Sequence, residues 1–133
     1  VFGSLETRAA TLDQSLSTLL KDLDSRGLLS ETMVVVASEF GRTPEVKPGR
    51  IGRDHHPSSF SALLAGGGIK SGFVHGQSDE RAHYVEEGGV GMEDLNATIA
   101  YAMGLDTRKI TYSPSGRPFK VAHDGKIIRE LLA

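Results

Sequence analysis

The sequence predicts an α/β fold in which helices cover a short sheet. Three observations carry that reading. Leucines recur at helical spacing near the start, a continuous apolar run rich in valine spans residues 33–37 and halts at Ser38-Glu39, and a second apolar stripe at helical spacing covers residues 92–104. At 133 residues the chain has the size of one domain, enough for a core but without room for a second.

Leu5, Ala9, Leu12, Leu16, Leu19, Leu20 and Leu23 recur at three- and four-residue steps with charged residues between them, the pattern of an amphipathic helix. Ser4 is the expected N-cap and Gly27, after Arg26, the expected residue just past the C-terminus. Met33 to Ala37 is apolar throughout, as in a strand buried on both faces and covered by helices. Thr43 to Arg53 holds two prolines and two glycines and reads as a loop over the sheet edge. Phe60 to Ala65 resumes as a strand, Gly66-Gly67-Gly68 turns the chain, and Phe73-Val74 begins another short strand. Gln77 to Gly91 is polar and glycine-bearing, an excursion near the site. Met92, Leu95, Ile99, Ala102 and Met103 form the stripe of a second helix that Gly104 closes. Asp124-Gly125 between two apolar runs predicts a C-terminal β-hairpin.

Net charge is −2, from 15 basic and 17 acidic residues spread along the chain, so nothing points to nucleic acid or a membrane surface as partner. The chain has no cysteine, which excludes disulfides and thiolate metal sites and leaves oxygen and imidazole as metal ligands. It opens Val1-Phe2 without an initiator methionine and enters a helical pattern at once, so we expect residues 1–133 to be a single partial or compact domain whose parent carries an N-terminal half.

The chemistry-bearing residues concentrate after the first strand. Polar groups at the carboxyl end of a buried strand sit where open α/β folds place ligands. Glu39 follows the strand, and a dozen residues later Asp54, His55 and His56 add oxygen and imidazole donors, making these four the candidate metal ligands. Successive side chains point apart in extended chain, so Asp54 and His56 share a face, with His56 the preferred ligand and His55 turned to solvent. Asp54 is also a candidate to orient the second nitrogen of His56. Arg42 and Arg53 carry planar forks suited to phosphate, sulfate or carboxylate. Glu39 requires a cation or Arg42 beside it if it is buried. His75, His83 and His123 have no ligand-type neighbours in sequence and read as surface or hydrogen-bonded histidines, and Asp79 and Glu80 as an acidic surface loop.

The order of motifs resembles the C-terminal part of domain-of-unknown-function family 1501. The resemblance rests on Ser38-Glu-Phe-Gly-Arg-Thr-Pro44, Gly52-Arg-Asp-His-His-Pro57, Leu64-Ala-Gly-Gly-Gly-Ile69, Gly76-Gln-Ser-Asp-Glu80, Asp94-Leu-Asn-Ala-Thr-Ile99 and Met103-Gly-Leu-Asp106. That family, found in bacteria, is grouped with the alkaline phosphatase and sulfatase superfamily. The resemblance implies an alkaline-phosphatase-like sheet flanked by helices and a hydrolase of phosphate or sulfate esters dependent on a divalent metal such as zinc, calcium or magnesium. It implies export or a periplasmic location, a small ester as substrate, and a missing N-terminal half that holds the nucleophile. Because Met33 to Ala37 reads as buried on both sides while only two helices are available to cover it, we also expect self-association or pairing with that half. The superfamily's strand-end Asp-His pair matches here as Glu39-Phe40, which removes one imidazole, and its later histidine matches as His56. No residue of this chain maps to the nucleophile, and the alternative is a non-catalytic binding or scaffold domain with a residual ion pocket.

Overall fold

The computed structural model describes residues 2–133 and is a mixed α/β chain. A long helix, α1 (Phe2–Ser25), leads into strand β1 (Met33–Val36); β2 (Gly41–Arg42), β3 (His55–His56), β4 (Leu63–Gly66), β5 (Gln77–Ser78) and β6 (Val85–Glu87) follow. Helix α2 (Met92–Ala102) and strands β7 (Ile110–Tyr112) and β8 (Pro118–Lys120) complete the regular elements, with 3₁₀ turns at Val121–Asp124 and Arg129–Leu131. Among the described residues the strands form four antiparallel pairs, β1 with β4, β2 with β3, β5 with β6 and β7 with β8.

α1 is already helical at Phe2, so Ser4 lies inside it rather than capping it, and Gly27 ends it in the left-handed region at φ +70° as expected. β1 pairs with β4 in the register Met33 to Gly66 and Val36 to Leu63. The expected cover on both faces is partial, since Val35 is 38% exposed and the outer edge of β1 has no strand partner among the described residues. Phe73-Val74 is not a strand, and Val74 is exposed. The polar stretch after residue 77 instead forms the β5–β6 hairpin, which spares its backbone groups from competing with water.

Among the described residues the buried ones are Leu95, Ala97, Thr98 and Ala100 of α2, whereas Met92 and Met103 of the stripe expected on that helix are 42% and 66% exposed. The helix starts with Glu93 and Asp94 in its first turn, where carboxylates favour the positive end of the dipole. Asp94 accepts hydrogen bonds from the Gly91 N–H at 3.4 Å and the Lys126 N–H at 2.6 Å. Thr98, fully buried, donates to the Asp94 carbonyl at 2.7 Å and accepts from the Ile128 N–H at 2.9 Å. The C-terminal segment therefore spends its backbone donors on α2. That is why the hairpin expected at Asp124-Gly125 does not form there. Gly125 lies so close to α2 that a Cβ would stand 1.9 Å from the Glu93 carbonyl oxygen. The hairpin forms earlier, between β7 and β8, closed by the Gly116 N–H on the Ser113 carbonyl at 2.8 Å.

Accessible surface totals 10042 Å², against about 6,800 Å² for a typical folded monomer of 14.2 kDa. On α1, Leu5, Leu12 and Leu19 of the expected apolar stripe are 59%, 57% and 46% exposed.

The clamp on α2 makes a stability prediction. Thr98→Val keeps the shape but leaves the part-buried Ile128 N–H without its acceptor, so urea unfolding should show a loss of about 1–3 kcal/mol. An unchanged midpoint would show that the C-terminal segment is held by packing instead.

Candidate functional site

The short ladder of β2 and β3 brings the two motif segments together, pairing Gly41 with His56 and Arg42 with His55. Gly41 is required for this approach, because a Cβ there would lie 2.1 Å from the Ser59 carbonyl oxygen. The ring of Phe40 stacks on His55 with centroids 3.8 Å apart, and the Arg42 guanidinium lies 5.5 Å from the Phe40 ring centre. His55 is thus committed to an aromatic contact while remaining exposed.

His56 is half-buried, and its Nε2 lies 2.6 Å from the carbonyl oxygen of His83. A carbonyl only accepts, which places a proton on Nε2 and leaves Nδ1 as the nitrogen available to a ligand. A carbonyl in this role is the usual orienting partner of a metal-bound imidazole. The expected orienter, Asp54, is engaged elsewhere: its two oxygens meet Lys47 Nζ and Arg50 Nη1, each at 2.7 Å. The hydrogen bond from Lys47, reinforced by the charges of Arg50 and Lys47, holds the Asp54 carboxyl below its ordinary value of 3.8.

Arg53 is also spent on structure. Its Nη1 donates to the Thr43 carbonyl at 2.8 Å and to the Pro44 carbonyl, tying down the loop between β2 and β3. Arg42 Nη1 reaches the Arg53 carbonyl at 3.3 Å and forms no ion pair among the described residues. Glu39 is exposed and is not paired with Arg42.

His83, which sequence spacing leaves without companions, is a hub. Its Nε2 meets Glu45 Oε1 at 3.0 Å, its N–H donates to Asp79 Oδ1 at 2.7 Å, and its ring stands edge-on to His56 with centroids 6.3 Å apart. Asp79 therefore serves the backbone of the β5–β6 turn. The contacts with His56 and Glu45 join residues 27 and 38 positions apart, so no local spacing could have signalled them.

Among the described residues no group of three or more histidine and carboxylate side chains gathers to hold a metal ion. His56 is suited to be one ligand, but the donors on this chain do not form a complete site. What the strand ends do line is a cavity of about 970 Å³ among β2, the segment from Pro57 into β4, the β5–β6 hairpin and the start of α2. Ser38, Arg42, Ser58, Ser59, Lys70 and His75 are its principal polar side chains. No helix among the described residues is long and apolar enough to cross a membrane.

The linkage at Asp54 has a defined sign. A depressed carboxyl contributes stability above the unfolded value, and that contribution is lost as pH falls through the lower folded value. Amide exchange of Thr43, whose N–H donates to the Asp54 carbonyl at 3.0 Å, should therefore accelerate as pH falls below 3.8, after correction for intrinsic rates. In Asp54→Asn that acid-dependent step should vanish; its persistence would assign the linkage to another group.

Comparison with known proteins gives one match: the family described as Protein of unknown function (DUF1501) covers residues 2–132. No curated protein and no solved structure matches the chain. With all but its two end residues inside that match, the chain belongs to the DUF1501 family.

Proposed function

We propose that this chain is the C-terminal, substrate-binding portion of an alkaline-phosphatase-like hydrolase that cleaves phosphate or sulfate esters with a divalent metal, zinc, calcium or magnesium. The observation that carries the reading is Arg42. It stands at a strand end beside the cavity, carries no carboxylate partner, and is braced by Phe40 and the Arg53 carbonyl. Such a guanidinium can bind two oxygens of a phosphoryl or sulfuryl group and counter the charge that grows as the ester bond breaks. His56, with its Nε2 proton fixed, is suited to ligate a metal through Nδ1; the remaining ligands and the nucleophile belong to the N-terminal half of the parent polypeptide in this reading. That half, or a second copy, would also cover the α1 stripe and the open edge of β1. The reading carries the expectation of an exported or periplasmic protein.

A second reading, a binding or scaffold domain without catalysis, is favoured by two contacts. Phe40 fills the place of an imidazole and stacks on His55, and Asp54 is saturated by Lys47 and Arg50.

Turnover of chromogenic phosphate and sulfate esters separates the two. The 133-residue chain should be inert, because no residue on it is placed as an activated nucleophile. The full-length parent should hydrolyse one ester class, lose that activity with chelator and regain it with metal, and lose roughly a hundredfold or more in kcat/KM on His56→Ala, as when a metal ligand or its support is removed. A full-length parent inactive with every metal would establish the binding reading, and turnover by the short chain would defeat both.

A further inference from the structure

The cavity has a charge pattern that the chain as a whole does not. Its 28 lining residues include Arg42 and Lys70 but no aspartate or glutamate, although 17 acidic residues are spread through a chain of net charge −2. The exclusion is geometric as well as compositional. Glu39 sits between the lining residues Ser38 and Phe40, and Glu86 and Glu87 between Val85 and Gly88, yet none of the three lines the wall. The carboxylates of Glu93 and Asp94 approach the lining residue Gly91 at the α2 end without lining the wall themselves.

Each cation stands over an aromatic ring that also lines the cavity. Lys70 Nζ is 4.6 Å from the centre of Phe73, and Arg42 is 5.5 Å from that of Phe40. Neither forms an ion pair among the described residues. Lys70 is placed by the backbone, its N–H donating to the Leu131 carbonyl at 2.8 Å beside the Ile69–Leu132 bridge. The rest of the wall mixes apolar side chains, Leu64, Val85 and Leu95 among them, with serines such as Ser58 and Ser59. At about 970 Å³ it is at the upper end of small-molecule sites.

We propose that this cavity binds organic anions that join one phosphate- or sulfate-like head to an apolar body, with Arg42 and Lys70 taking the head and the aromatic and aliphatic wall taking the body. The proposal deepens the ester-hydrolase reading and rests on it for the nature of the head. It narrows the substrate class to monoesters whose alcohol carries an apolar body, which side chains such as Leu64, Val85 and Leu95 would cover. Two unpaired cations without an opposing carboxylate supply charge complementarity for an anion, and desolvation by the apolar wall strengthens it.

The test is calorimetric titration of the 133-residue chain in the presence of chelator with hexyl phosphate, inorganic phosphate and 1-hexanol. Hexyl phosphate should bind at least roughly tenfold more tightly than either of the other two, since head and body each contribute. Arg42→Ala and Lys70→Ala should each weaken hexyl phosphate roughly tenfold with an unchanged circular dichroism spectrum, while Lys109→Ala, outside the cavity, should have no effect. Inorganic phosphate or 1-hexanol binding as well as hexyl phosphate would overturn the proposal, as would charge variants that bind normally. Binding that fades as protein concentration rises would give the cavity to a second copy of the chain and equally overturn it. Metal and turnover are absent from this assay, so failure of the hydrolase reading and failure of this one are read separately.

Discussion

The hydroxyl of Thr98 is the interaction on which the described core depends. It is the largest fully buried side chain, and it closes a loop of hydrogen bonds between α2 and the C-terminal segment together with Asp94. A buried polar group is costly unless both its donor and acceptor capacities are met, and here both are. The pair holds residues 125–128 against α2, and Leu131 beyond them carries the carbonyl that anchors Lys70. One wall of the cavity is therefore tied to a helix packed through Leu95, Ala97 and Ala100.

The opposite wall is held differently. β2 and β3 are two residues each, too short to be stable alone, and their loop is fastened by Arg53 to the Thr43 and Pro44 carbonyls and by the Lys47, Arg50 and Asp54 ion pairs. These exposed pairs contribute little to global stability, but they fix the direction in which the strand ends point. Glu45 extends the same loop to His83, and His83 in turn presents its carbonyl to His56. Arg53 and Asp54, read from sequence as ligand-type residues, thus position the neighbours that remain available, Arg42 and His56.

Local patterns in the sequence were sufficient for α1, α2, β1 and the turn at Gly66, because each is set by spacing within a few residues. The C-terminal hairpin was displaced because the Asp124-Gly125 signal competes with a long-range contact. Gly125 serves close packing on α2, while Ser113-Pro-Ser-Gly116 supplies the turn that is used. At the site, the sequence marked Arg42 and His56 through their strand-end positions. It could not mark His83, Glu45 or Lys70, whose roles arise from contacts across 27 or more positions or from the wall they share. A basic residue after Gly66-Gly67-Gly68 carries no signal until the fold sets it opposite a wall free of carboxylates.

The central claim is that the strand ends and α2 enclose a cation-bearing, carboxylate-free wall that selects anions with an apolar body. Nuclear magnetic resonance of the labelled chain titrated with phenyl phosphate tests it most directly. The account predicts shifts concentrated at the Arg42 guanidinium, the Lys70 side chain, the Ser58 and Ser59 amides and the Phe73 ring. Shifts centred instead on Lys47, Arg50 and Arg53, with Lys70 and Phe73 unmoved, would contradict it.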